Sequence, residues 1–218
     1  MSWSGGKDSS LALWALLGDP NVEVRALLTT VTEEFDRVSM HGVRNDLLDR
    51  QAVSVGLPVV HVSIPPHCPN DVYEARMAAA LSSPLIAAVA HYAFGDLFLD
   101  DVRTYREERL QAVGKQCIFP IWGRDTRQLA RSFINAGFRA LLTCVDTSRL
   151  DGAFAGRSFD ASLLEDLPAS VDPCGEHGEF HTFVFEGPIF RFPIPIVTGE
   201  IVDRDGFTFC DVRSLAPD

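Results

Sequence analysis

Paired cysteines are missing from this sequence of 218 residues. Its five cysteines, Cys68, Cys117, Cys144, Cys174 and Cys210, are odd in number, widely spaced and never arranged as Cys-x-x-Cys. A reduced intracellular chain without a structural zinc site is the simpler reading. No apolar run approaches the roughly 18 residues of a membrane span, and no basic segment followed by an apolar one opens the chain. The expectation is a soluble cytoplasmic protein with no membrane partner. Basic residues are scarce, 19 against 30 acidic ones, and the net charge of -11 repels a phosphate backbone unless a basic patch is segregated. Nucleic acid is therefore disfavoured as a partner. Internal repeats, coiled-coil heptads and low-complexity tracts are absent too. With 46% hydrophobic and 22% charged residues, the chain has a globular composition and buries an ordinary core without a disulfide or metal staple.

What is present begins with Ser4-Gly5-Gly6-Lys7-Asp8-Ser9. Two glycines let the backbone turn at positive φ and bring its N–H groups near an anion, and a helix begins directly afterwards. The spacing fits neither the Walker A loop nor Gly-x-Gly-x-x-Gly. An ordinary turn capped by Ser4 is the plainer alternative, but Lys7 opposes it: a cation at a helix N-terminus conflicts with the macrodipole unless an anion lies there. A second dense stretch is Asp172-Pro-Cys-Gly-Glu-His-Gly-Glu-Phe-His-Thr182. It places a thiol, two carboxylates and two imidazoles within eight residues of a histidine-poor chain. Zinc ligation by Cys174, His177, His181 and a glutamate, a cysteine nucleophile with a histidine base, and a rigid substrate loop all compete for it.

Ser-Gly-Gly-Lys-Asp-Ser resembles the signature of the PP-loop ATP pyrophosphatases, and the Asp172–Thr182 run resembles one branch of them, the diphthine–ammonia ligase family. The resemblance extends over nearly the whole chain. It implies ATP and Mg²⁺ as cofactors, with Ser4, Gly5, Gly6, Lys7, Asp8 and Ser9 around the leaving pyrophosphate and Asp8 helping to hold the metal. It favours the substrate-loop reading, in which Glu176, Glu179 and His181 position a carboxylate and incoming ammonia, and it leaves His177 peripheral. Lys7 and Asp8 complete the implied catalytic set.

Along the chain, apolar periodicity predicts helices over 9–17, 45–55, 71 to about 89 (with Pro84 as a break), 102–113 and 127–136. Strands are expected over 22–31, 59–64, 94–99, 116–119 and 140–145. Regular alternation argues for an α/β fold with a mainly parallel sheet. The resemblance specifies an adenine nucleotide α-hydrolase-like, Rossmann-like domain over 1–119. Beyond Asp146, glycines and prolines permit only short elements. A strand over 179–186 and a hairpin of 196–202 with 207–212 across Asp205-Gly206 suggest a smaller α+β domain over 120–218. Only Met1-Ser2-Trp3 precedes the loop, so the first strand is either a stub or lacks residues.

Gly95-Asp96 is read as a glycine bend with a helix cap or, as the family implies, as part of the nucleotide wall at a strand end. Arg106 and Glu108 match a family spacing on a helix whose other charges form i,i+3 and i,i+4 pairs. Trp122, in Pro120-Ile121-Trp122, is read as core, and His41 as a weak candidate near the nucleotide. The resemblance implies an AMP-forming ligase that adenylates a carboxylate and transfers ammonia to it. The acceptor is a small molecule or the modified histidine of a translation factor. Free ammonium is the donor, since no glutaminase region is present, and a homodimer is compatible with this reading. The alternatives are a tRNA-modifying PP-loop pyrophosphatase and a non-enzymatic ATP-binding regulator.

Overall fold

The computed structural model describes residues 1–33, 37–38 and 42–215. Its first part contains α1 (Lys7–Leu17), β1 (Leu27–Thr32), β2 (Arg37–Val38), α2 (Asn45–Val55), β3 (Val59–Ile64), α3 (Asn70–Leu81), β4 (His91–Ala93), α4 (Asp100–Ala112) and β5 (Gln116–Ile118). Then follow α5 (Thr126–Asn135), β6 (Arg139–Asp146), α6 (Ala161–Asp166), β7 (Phe180–Glu186), β8 (Ile196–Arg204) and β9 (Phe207–Ser214).

β1 runs parallel to β3, with Leu27 opposite Val59 and Thr32 opposite Ile64, and β4 runs parallel to β5. The N-terminal tripeptide joins the two pairs. Leu28 N–H donates to the Met1 carbonyl, Trp3 N–H to Leu28, and Ser2 N–H to Ala93. Met1–Trp3 therefore acts as a central stub, giving the spatial order β3, β1, stub, β4, β5. Successive residues leave a strand on opposite faces: Leu27 and Ala93 enter one hydrophobic cluster, Leu28 and Tyr92 another. Burial on both faces is what a parallel sheet requires.

The second sheet is antiparallel, ordered β7-β6-β9-β8. Its hairpin turns at Asp205 and Gly206, with φ of 52° and 83°, the pair of positive angles a two-residue hairpin turn demands. The larger hydrophobic cluster takes Leu11 and Leu13 of α1, Leu47 and Leu48 of α2, Phe133 of α5, Leu142 of β6 and Phe183 of β7. The two sheets are thus tied through shared helices.

Several elements differ from expectation. The strand predicted over 94–99 is β4 at His91–Ala93, and Phe94–Leu99 is irregular. Phe94 N–H still reaches the Ile118 carbonyl at the end of β5, but Leu97 is buried by tertiary contact: its N–H donates to the Glu176 carboxylate and its carbonyl accepts from Gly123. The strand expected from Val22 begins only at Leu27, and α3 ends at Leu81, before Pro84. Helix α6 lies in the stretch for which the sequence predicts only short elements. Asp160 caps it, accepting from Leu163 N–H at 3.0 Å.

Candidate functional site

Met1–Trp3 and β4 both end at one edge of the parallel sheet, where ligands of open α/β sheets bind. The stub feeds the Ser4–Ser9 loop into α1. Gly5, at φ 74°, occupies a conformation that L side chains avoid. Behind the loop stands a fully buried amide: Gln51 Nε2 donates to the carbonyls of Gly5 (3.0 Å) and Val184 (2.5 Å), while Gln51 Oε1 accepts from Trp3 Nε1. Strand β7 closes on the loop from the other side. Val184 N–H donates to the Gly5 carbonyl at 2.9 Å, and Lys7 N–H donates to Thr182 Oγ1 at 2.9 Å.

A cavity of about 290 Å³ opens between these elements. Ser4, Gly6, Lys7, Asp8 and Ser9 line it from the loop, Gly95, Asp96 and Arg106 from the wall, and Cys174, Glu176, His181 and Thr182 from the second motif. Two stretches far apart in sequence therefore face one cleft. Gly95 is placed by close approach: a Cβ there would lie 2.8 Å from the Asp8 carbonyl carbon. Asp96 is no helix cap, because Leu99 precedes α4; it is gripped by Arg106, with Nε 2.7 Å from Oδ2 and Nη2 3.1 Å from Oδ1. Arg106 also lies 4.4 Å from the Phe94 ring centroid, a cation–π contact that fixes its plane.

Lys7 is 1% exposed and ion-paired with Asp8, whose side chain remains 32% exposed. Burial works against the ammonium charge, yet the Asp8 and Glu176 carboxylates hold the Lys7 pKa above its ordinary value. Lys7 is thus a permanent cation in the cavity wall. Asp8 titrates higher than an ordinary aspartate because burial, aided by Asp172, outweighs Lys7. Burial likewise lifts Glu176 to about 7, with Asp8 and Asp96 adding to the rise and the Leu97 N–H and Lys7 opposing it. His181 is pushed down to about 4 by burial and by Lys7. At neutral pH the site therefore presents a neutral imidazole and a carboxyl poised to exchange a proton.

The other predicted residues sit differently. Glu179 is 2% exposed and its oxygens face the loop backbone, accepting from Asp172 N–H and His177 N–H, both at 3.0 Å. Asp172 in turn accepts from Cys174 N–H and Glu176 N–H. The geometry makes Glu179 a clamp of the loop, not a wall of the cavity. Glu108 is exposed on α4 and does not line the cavity. His177 is exposed and packs edge-on against Phe98. Trp122 is half-buried beneath Arg103, whose guanidinium lies 4.9 Å from its ring. His41 lies outside the described residues. Cys174 is buried, its thiol pushed up to about 12 by burial despite Lys7, and it donates to the Thr126 carbonyl at 3.3 Å. A thiol so protonated is a poor nucleophile.

Sequence reasoning passed over Thr182 and Gln51 as site residues. Thr182 closed the second motif and was visible there, whereas nothing local marks a glutamine in an amphipathic helix.

Comparison with known proteins gives a consistent picture. The profile of the diphthamide synthase N-terminal domain matches residues 1–115, and that of the diphthamide synthase C-terminal domain matches residues 125–215. A diphthine–ammonia ligase of Schizosaccharomyces pombe is 25% identical over 98% of this chain, which spans 38% of that relative's length. One of Rattus norvegicus is 23% identical over 97% of the chain and 87% of the relative. One of Homo sapiens is 28% identical over 54% of the chain and 46% of the relative.

Proposed function

This chain belongs to the diphthamide synthase family, and from that premise we propose that it is an ATP-dependent ligase that adenylates a carboxylate and converts it to an amide with ammonia. The observation that carries the reading is the cavity shared by the Ser4–Ser9 loop and the Cys174–Thr182 stretch. A phosphate site alone would suit any ATP-binding protein. A second wall of proton-exchanging groups, opposite the phosphates, is what a two-step transfer needs.

The donor set suits a polyphosphate: a buried cation, the hydroxyls of Ser4 and Ser9, and the positive end of α1, whose N-cap Gly6 has no side chain to cap it. Asp8, partly exposed beside that loop, is the carboxylate to hold Mg²⁺, which when bound neutralises triphosphate charge. In the first step the acceptor carboxylate oxygen bonds to the α-phosphorus while the bond to the β-phosphate oxygen breaks, and pyrophosphate leaves against Lys7. In the second step ammonia bonds to the acyl carbon and AMP departs. Glu176, with a pKa near 7, takes the proton the nitrogen must lose. Neutral His181 orients the nucleophile by hydrogen bonding. At about 290 Å³ the cavity lies at the bottom edge of the range for ligand pockets, roughly 300–1,000 Å³. We assign the modified histidine of a translation factor as acceptor, with free ammonium as donor and the cytoplasm as location.

The test is to incubate the protein with ATP, Mg²⁺, ammonium and a set of carboxylate acceptors that includes the diphthine-bearing factor. AMP and pyrophosphate in equal amounts, dependent on acceptor, are expected. Release of ADP, or nucleotide binding with no turnover for any acceptor, would overturn the reading.

A further inference from the structure

We infer that Thr182 is a phosphate-binding residue of this site, contributed to the nucleotide from the antiparallel sheet. The inference rests on the reading above that the Ser4–Ser9 loop holds a polyphosphate.

Thr182 is 4% exposed, yet it lines the cavity. Its Oγ1 accepts from Lys7 N–H at 2.9 Å across 175 residues of sequence. A hydroxyl has one proton to give as well as lone pairs to offer, and among the described residues no group accepts the Thr182 proton. A buried hydroxyl with an unspent donor is costly unless a ligand uses it. The surroundings say which ligand. Lys7 fixes the oxygen by its backbone and supplies a cation by its side chain, the start of α1 supplies a positive field, and Ser4 and Ser9 of the loop line the same cavity. An anionic oxygen is the acceptor that complements all of these.

Strand β7 holds the hydroxyl with little freedom. Thr182 pairs with Leu142 of β6, and two residues on, Val184 N–H donates to the Gly5 carbonyl. A Cβ placed on Gly6 would lie 2.9 Å from the Thr182 carbonyl oxygen. The strand and the phosphate loop therefore meet without intervening side chain, so a small displacement of either is felt by the other. Thr182 also directly follows His181. The strand that offers the acceptor-side imidazole thus touches the nucleotide side, and pyrophosphate binding and the placement of His181 should be coupled.

The experiment compares wild type, Thr182→Val and Thr182→Ser by calorimetric titration with pyrophosphate, ATP and adenosine in Mg²⁺, alongside thermal unfolding. Valine keeps the shape and removes the hydroxyl. We expect it to weaken pyrophosphate and ATP binding by about tenfold to a hundredfold, the size of a hydrogen bond to a charged group, and to leave adenosine binding unchanged. Serine should restore affinity to within about threefold. A purely structural role, in which the hydroxyl only receives Lys7 N–H, would lower the melting temperature while folded protein kept its full pyrophosphate affinity; that result overturns the inference. If wild type binds neither pyrophosphate nor ATP, the ATP reading fails and this inference fails with it. If wild type binds them and the valine variant binds equally well, the inference alone fails. Should the valine variant not fold, NMR on the wild type decides: the Thr182 methyl and Lys7 amide resonances must both move on adding pyrophosphate, and their remaining in place refutes the contact.

Discussion

Replacing Glu176 by glutamine should stabilise the protein at alkaline pH. Glutamine is nearly isosteric and its carbonyl still accepts from Leu97 N–H, which Glu176 Oε1 does at 2.8 Å. What the change removes is an ionisable group whose pKa burial raises from 4.5 to about 7. The native state then binds more protons than the unfolded state between these values, so this group makes stability fall as pH rises from 4.5 to 7, with no further loss above. Full desolvation would put the cost of the ionised form at about 3 kcal/mol, at 1.36 kcal/mol per pKa unit. Solvent at the cavity mouth reduces that to roughly 1–2 kcal/mol. His181 acts in the opposite sense. Its pKa lies at about 4, below the usual 6.5, so its stabilising contribution is complete above pH 6.5 and is lost as pH falls toward 4. The wild-type profile mixes both slopes, and the difference between wild type and Glu176→Gln isolates one. Urea unfolding at half-unit steps from pH 4.5 to 8.5 should show the two proteins equal at the acid end, with the variant ahead by roughly 1–2 kcal/mol at pH 8. A variant that tracks the wild-type pH dependence, or is the less stable of the two at pH 8, would refute the desolvation argument and with it the pKa that suits Glu176 to proton transfer. Its amide-forming turnover should meanwhile fall, since the stability gained is that of a group strained for function.

Lys7→Ala and Asp8→Ala should each reduce acceptor-dependent AMP formation about a hundredfold to a thousandfold, while circular dichroism stays native; near-normal turnover in both would dismiss the phosphate loop. Glu179→Gln replaces one of two carboxylate acceptors by an amide donor, leaving the N–H of Asp172 or His177 unpaired. It should cost about 1–3 kcal/mol by denaturant unfolding and speed hydrogen exchange over 172–178, and unchanged exchange would count against the clamp. Gly95→Ala drives a Cβ into the Asp8 backbone, 2.8 Å away. A loss of about 1–3 kcal/mol with weaker ATP binding is expected, and a neutral outcome would mean that the wall and the loop are not in contact.

The reach of sequence reasoning was set by range. Local signals were sound where a local cause acted: α2 lies at Asn45–Val55 and β3 at Val59–Ile64, as periodicity and the flanking Gly56 and Pro58 dictate, and the hairpin turns at Asp205-Gly206 because those two residues tolerate positive φ. Phe94–Leu99 misled because an apolar run reports burial, not conformation. At its centre, Leu97 pairs its N–H with Glu176 and its carbonyl with Gly123, partners no window around residue 97 contains. Glu179 is a related case: the sequence shows a carboxylate in a dense polar motif, and its two backbone donors, Asp172 N–H and His177 N–H, are visible only in the fold.

By itself, then, the sequence determined the Ser4–Ser9 turn and the helix that follows it, since two glycines before a helix start are a local signal, while the nucleotide proposed for that loop came from the family resemblance. It also determined the alternation of strands and helices, and with it a parallel sheet. Only the tertiary structure decided which groups stand across the cavity from that loop. That depended on β7 docking on the loop through Val184 and Thr182, on Gln51 bracing it from behind, and on the pairing of Asp96 with Arg106. These contacts arise when helices shared by two sheets bury their apolar faces. The same burial shifts the pKa values of Glu176 and His181, because desolvation is a property of the packed fold and of no residue alone.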